Sequence, residues 1–152
     1  YTLHTLFPYT TLFRSVFDSI VGALTHGAVA MHLGKVTPIL RIFDEAKALA
    51  FYVDFLGFTV DWQHRFEANF PLYLQVSLGE CVLHLSEHHG DASPGAAVRI
   101  QAQGIDAYQQ QLQGKDYRFA KPGVEEMPWG SREMSIHDPF GNRLVFVEEG
   151  EG

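Results

Sequence analysis

From residue 35 onward the apolar positions follow two periods in turn. "KVTPILRIF" (35–43) alternates as a strand does. Ala46, Leu49, Val53 and Leu56 then recur at helical spacing, with Asp44 placed to cap the helix and Gly57 to end it. Period two returns in "FTVDWQH" (58–64), "LYLQVSL" (72–78) and "CVLHLS" (81–86), the last two joined by a turn at Gly79-Glu80. After the breaker segment "HHGDASPG" (88–95) the order repeats. A strand "AAVRIQA" (96–102) precedes a short helix with Ile105, Tyr108 and Leu112 on one face and Gly114 after it. Three strands then follow in "YRFAKP" (117–122), "REMSIH" (132–137) and "RLVFVEE" (143–149). The pattern is βαβββ twice, over about 36–86 and 96–149, and the repeat is one of element order rather than of residues. Each half buries one sheet face under its helix and leaves the other free for a pocket or a partner. The predicted fold class is α+β.

Residues 1–30 follow neither period. The tripeptide TLF recurs around Pro8, without helical spacing or turn-bounded strands. Residues 16–30 end in the small residues of a secretory leader, but Asp18 and His26 interrupt the apolar stretch. The expectation is a non-native or disordered extension, with Met31 as the native start and 31–152 as one domain.

Composition narrows the function. With 46% apolar and 19% charged residues, 152 residues suit a single globular domain. Eighteen acidic against eleven basic residues give a net charge of −7 with no basic cluster, which argues against a nucleic-acid partner and for a cationic ligand. The lone Cys81 excludes an internal disulfide and a Cys-rich zinc site, and fits a cytoplasmic protein. No apolar run approaches a membrane span.

Candidate chemistry is sparse. "HLSEH" (84–88) matches a metalloprotease pattern, but that motif needs both histidines on one helical face, and residues 81–86 have strand periodicity. His88 and His89 read as solvated turn residues. Ser131 and Ser135 lie near His137 and Asp138 without a nucleophile elbow, and no glycine-rich loop opens a helix for a phosphate. Trp129, held between Pro128 and Gly130, is costly to leave in water, so core, subunit or ligand should cover it.

The paired βαβββ order, "FYVDFLGF" at the first helix end and "EEMPWGSREMSIHDPFGNRLVFVEE" at the chain's end resemble the vicinal oxygen chelate (glyoxalase and bleomycin resistance) superfamily, over roughly residues 36–149. PWG, an Arg-Glu pair and then DPxGN resemble its drug-binding, bleomycin-resistance branch. The resemblance implies curved mixed sheets around a cleft. Metalloenzymes of the superfamily hold an ion at positions that fall here on Thr37, His84, Ala97 and Val145. Only His84 can be a ligand, which points away from a metal, a cofactor or a catalytic residue. The resemblance further implies a homodimer with clefts at the interface, often formed by exchanging an N-terminal strand. Trp129 would stack on a flat bithiazole at the cleft entrance, and Trp62, Phe66, Phe70 and Tyr73 would supply the opposite wall. Asp61, Glu67, Glu125, Glu126 and Glu133 would form a negative rim for a cationic tail, and His84 lies on the polar side of its strand. The implied function is sequestration of a bleomycin-type glycopeptide without modification. The alternatives are a superfamily enzyme using His84 and His137, and a binder of another planar ligand.

Overall fold

The structure, a computed structural model, describes residues 31–150. The expectation for residues 1–30 lies outside them. The chain divides after Lys35, and every described element belongs to the second unit. Its first module runs β1 (Ile39–Arg41), α1 (Glu45–Leu49), a π-helical segment (Ala50–Phe55), β2 (Thr59–His64), β3 (Tyr73–Leu78) and β4 (Cys81–Ser86). The second runs β5 (Ala97–Gln101), α2 (Ile105–Gln113), β6 (Val124–Glu126), β7 (Ser131–His137) and β8 (Arg143–Glu149). The sheets are ordered β1-β4-β3-β2 and β5-β8-β7-β6. In each, the first strand lies parallel to the last and the other pairings are antiparallel. The α+β class and the doubled βαβββ order are therefore as expected.

Three elements differ from the sequence reading. β1 has three residues rather than nine, because Pro38 brings no N–H to the ladder and only its carbonyl is used, by His84 N at 3.0 Å. The second strand of the second module is Val124–Glu126 and not 117–122. Residue 117 serves the core instead, its ring stacked on Phe55 at 4.4 Å and 18°. The stripe of the first helix is also displaced. Asp44 does cap it, accepting from Lys47 N at 2.9 Å, but the chain then widens, with Leu56 N bonded to Phe51 O five residues back. That turn buries Ala48, Phe51, Tyr52 and Phe55 along with Leu56, while Ala46 is exposed and Leu49 and Val53 are half-buried.

One apolar core joins the modules through the helix side of each sheet. Leu74, Val76, Leu83 and Leu85 of the first sheet meet Ile105, Leu112, Met134, Leu144 and Phe146 of the second module across those aromatics. Polar contacts cross the same joint. Tyr108 Oη donates to Leu56 O at 2.7 Å, Lys115 Nζ to Asp54 O and Phe55 O at 2.9 and 2.6 Å, and Tyr52 Oη to Asp138 Oδ2 at 2.7 Å. Because the joint uses the helix sides, the opposite face of each sheet stays open. Among the described residues no helix is long and apolar enough to cross a membrane.

Candidate functional site

Strand alternation decides what each open face carries. On the first sheet, β3 turns Leu74 and Val76 inward and leaves Tyr73, Gln75 and Ser77 outward, and β4 sends Leu83 and Leu85 in and His84 out. In β2 the register slips between Val60 and Trp62. The extra residue is Asp61, and the bulge lets it share a face with its neighbour. Its carboxylate accepts from Gln75 Nε2 and Ser77 Oγ, both at 2.8 Å. Trp62 lies almost parallel to Tyr73, with 5.9 Å between ring centres and 7° between planes, and stands edge-on to His84 at 5.3 Å.

These bonds set the protons. Asp61 can only accept, so the Gln75 amide turns its nitrogen to Asp61 and its oxygen to His84 Nε2, 3.0 Å away. Nε2 must then donate. That leaves Nδ1 to accept, and the Tyr73 hydroxyl donates to it at 2.7 Å. Burial, and after it the charge of Asp91, raises the Tyr73 phenol and keeps it a donor, while the Gln75 and Ser77 bonds hold Asp61 below the usual carboxylate range. A chain Asp61–Gln75–His84–Tyr73 thus locks the rings in place.

The row of rings is longer than the sequence suggested. Phe66, 70% exposed, sits edge-on to His64 at 4.8 Å and near His88 at 6.4 Å, and His88 lies 6.5 Å from Tyr73. His88 is half-buried here rather than a solvated turn residue, whereas His89 is exposed. Phe70 and Glu67 lie in the loop before β3, which Arg65 ties down through Glu45, Glu87 and Phe70 O. No described side-chain contact joins either to the row.

The second sheet presents the other half. Its β6–β7 turn closes with Met127 N on Ser131 O at 2.8 Å and Gly130 N on Met127 O at 2.9 Å, and Gly130 takes a φ of 94° that residues with a Cβ rarely adopt. Trp129 rides on this turn, 68% exposed, and is not core. Its indole Nε1 donates to Ser131 Oγ at 2.9 Å and Glu133 Oε1 at 3.3 Å. Glu133, 6% exposed, is gripped by Arg99 through two bonds of 3.1 and 2.7 Å. Glu125 lies opposite Glu133 on the same face. Glu126 alternates to the other side with Arg132, whose guanidinium pairs with Asp106. Glu126 is thus separated from the rest of the expected rim. No described hydrogen bond or ring contact joins the two open faces.

Arg99, and after it Ser131 and Trp129, hold the Glu133 carboxyl below the usual carboxylate range. A depressed value means that the clamp persists through the ordinary glutamate titration near about 4.3 and is lost only as pH falls further. Trp129 emission is therefore expected to hold steady through that range and change below it, and Glu133→Gln should abolish the transition. A midpoint at or above the ordinary value, or an unchanged transition in the variant, would contradict the clamp.

The residues do not fit a metal. β1 sets Ile39, not Thr37, beside His84, and β5 sets Arg99, not Ala97, beside Val145. Both ring nitrogens of His84 are taken by Tyr73 and Gln75. β4 ends at Ser86, so His84 and His88 share no helical face. Among the described residues no three His, Cys, Asp or Glu side chains converge to hold an ion. His137 lies on the second sheet's open face, opposite Arg143, with no described contact to His84. Sequence reasoning missed Gln75, Ser77 and Arg99 and weighed Ser131 only as a nucleophile, because the partners of these orienting groups follow from register across strands and turns.

Comparison with known proteins places this geometry. The sequence matches the family described as glyoxalase superfamily protein over residues 21–152. A member of the glyoxalase/bleomycin resistance protein/dioxygenase superfamily from Sphaerobacter thermophilus is similar in structure, with a TM-score of 0.60 at 26% identity, covering 78% of this chain and 100% of that one. A bleomycin-binding protein complexed with bleomycin gives 0.58 at 20% identity, covering 77% and 99%. An antibiotic binding protein from Streptomyces sp. CB03234 gives 0.58 at 20%, covering 80% and 100%. No protein of curated function matches the sequence. The doubled βαβββ fold and the match over most of the chain lead to one assignment: the chain belongs to the glyoxalase superfamily.

Proposed function

We propose that this protein binds an antibiotic of the bleomycin type and withholds it stoichiometrically, without changing it chemically. The observation that carries this reading is the pair of open faces bearing locked, partly exposed aromatic rings. Trp62 and Tyr73 lie parallel on one, and Trp129 is tethered on the other. A flat conjugated ligand stacked on such rings gains about 0.5–1.5 kcal/mol per pair beyond area burial. Each face is half a cleft, so the reading includes a homodimer in which one protomer's first sheet faces its partner's second. The bleomycin-bound structural relative supports the choice of drug. Asp61, Glu67 and Glu125 would speed capture of a cationic tail more than they tighten it.

Calorimetric titration of the full chain with bleomycin tests the reading. One drug per chain, recovered intact, is the expected result; no heat, or a drug returned with altered mass, would refute it. The Tyr73–His84 pair favours a second reading, a metal-free enzyme in which that pair moves a proton. Altered drug mass that disappears in Tyr73→Phe would select it.

A further inference from the structure

The open face of the second sheet holds a pocket of about 270 Å³ lined by Arg99, Glu125, Met127, Glu133, Ser135, Arg143 and Val145, among others. Its charges are unequally committed. Glu133 already accepts from Arg99, Ser131 and Trp129 at Oε1 and from Arg99 at Oε2, so its charge is paired with Arg99. Glu125 stands at the far side, on edge strand β6. Arg143, like Glu125, has no described partner for its charge, and it stands two strands away on β8. Its backbone N–H is bonded to Ala96 O at 2.8 Å, but its guanidinium has no described hydrogen bond or ion pair. It lies opposite His137 on β7 and beside Ala97 on β5, and no acid faces it from either strand. One rung along, Ser135 and Val145 pair on the same face and line the same pocket.

We propose that this pocket takes the carboxylate of a planar aromatic acid, with Arg143 as its cation. The inference rests on the reading that the open faces hold the ligand, and it names the charge that the Arg143 end of the second face accepts. A guanidinium offers five N–H donors in a fork that matches a carboxylate. Ser135, exposed beside it, is a second donor. Val145 and Met127 give the apolar surface against which a ring can lie. A cationic group would meet Arg143 with repulsion and find Glu133 already paired with Arg99. This end of the cleft therefore selects against the charge that the net −7 of the chain attracts from a distance.

The test is calorimetric titration of the full chain with naphthoate, naphthylmethylammonium and inorganic phosphate, repeated in Arg143→Gln and Arg143→Lys. Naphthoate should bind, the two other probes should not, and the glutamine variant should weaken naphthoate roughly tenfold to a hundredfold, as loss of a charged hydrogen-bond partner does. Lysine should restore part of that loss. The guanidinium supports no other described side chain, so the variants should keep the fold, as circular dichroism would show. Equal binding of the ammonium probe, unchanged naphthoate binding in the glutamine variant, or no naphthoate binding would overturn the proposal. Phosphate binding as tightly as naphthoate would overturn its aromatic part. Bleomycin binding without naphthoate binding sinks this inference alone, and naphthoate binding without bleomycin binding sinks only the choice of drug.

Discussion

Replacing Asp138 with alanine is expected to cost the domain about 3–5 kcal/mol, a large part of the roughly 5–15 kcal/mol that holds a domain of this size together. Asp138 is 5% exposed, and no described salt bridge reaches it. Four donors satisfy it instead: Tyr52 Oη at 2.7 Å, Phe140 N at 2.9 Å, Asn142 N at 2.8 Å and Asn142 Nδ2 at 2.7 Å. Removing it leaves Tyr52 Oη and Asn142 N without an acceptor in the interior and Phe140 N at its edge, while Asn142 Nδ2 keeps only Arg41 O; each buried unmet donor costs about 1–3 kcal/mol. Asparagine is no remedy, because its amide would aim N–H groups at donors. Tyr52→Phe removes one of the four and should cost about 1.5–3 kcal/mol, the usual range for a bond to a charged group. Burial, then the Asp138 charge, pushes the Tyr52 phenol well above its ordinary value, so it remains a donor throughout the working range of pH. Urea unfolding followed by circular dichroism checks the order. A loss below about 1 kcal/mol in Asp138→Ala would show that water replaces the carboxylate and that this cluster adds little to the joint between the modules.

That cluster explains a motif the sequence displayed without its purpose. DPFGN reads as a tight turn between two strands, and it is one: Asp138 N bonds Asn142 O at 2.8 Å. Its ends also reach outside the turn, Asp138 to Tyr52 on the first helix and Asn142 Nδ2 to Arg41 O on β1. Such long-range partners leave no periodic trace. Strands β3, β4 and β7, whose inward positions alternate over six or seven residues, and β8, with its continuous apolar run Leu144–Val147, were legible because at least one face is buried. The buried face of the first helix was not, since Ala46, Leu49, Val53, Leu56 and Ala48, Phe51, Tyr52, Phe55 are two apolar sets that both recur at helical spacing, and only packing decides for the second. The three-residue β6 failed for a similar reason. Val124 contributes a single inward position, too few to stand out against the aromatic run Tyr117–Phe119 that precedes it. For the candidate site, residue type in the sequence identified the rings but not the groups that aim them. Arg99 lies 34 positions from Glu133, and only the β5-β8-β7 order brings them together.

Trp129→Ala is expected to leave the fold standing and to remove most of the binding. The side chain is 68% exposed and its only described bonds are from Nε1 to Ser131 and Glu133. Glu133 keeps both Arg99 bonds and the Ser131 hydroxyl without it, so the stability change should stay within about 1 kcal/mol, near the range of surface substitutions. Affinity behaves differently. A large ring held on a rigid turn loses little freedom when a ligand stacks on it, and truncating an aromatic anchor of that kind costs about 2–4 kcal/mol, roughly a thirtyfold to thousandfold rise in Kd. Bleomycin titration of the variant, paired with urea unfolding, separates the two quantities. A stability loss of about 3–5 kcal/mol, the cost of emptying an aromatic site in a core, would mean that Trp129 is packed against a partner protomer rather than open to ligand. Unchanged affinity with an unchanged fold would move the drug to the first sheet alone, onto Trp62 and Tyr73. Trp62→Ala would then carry the whole loss.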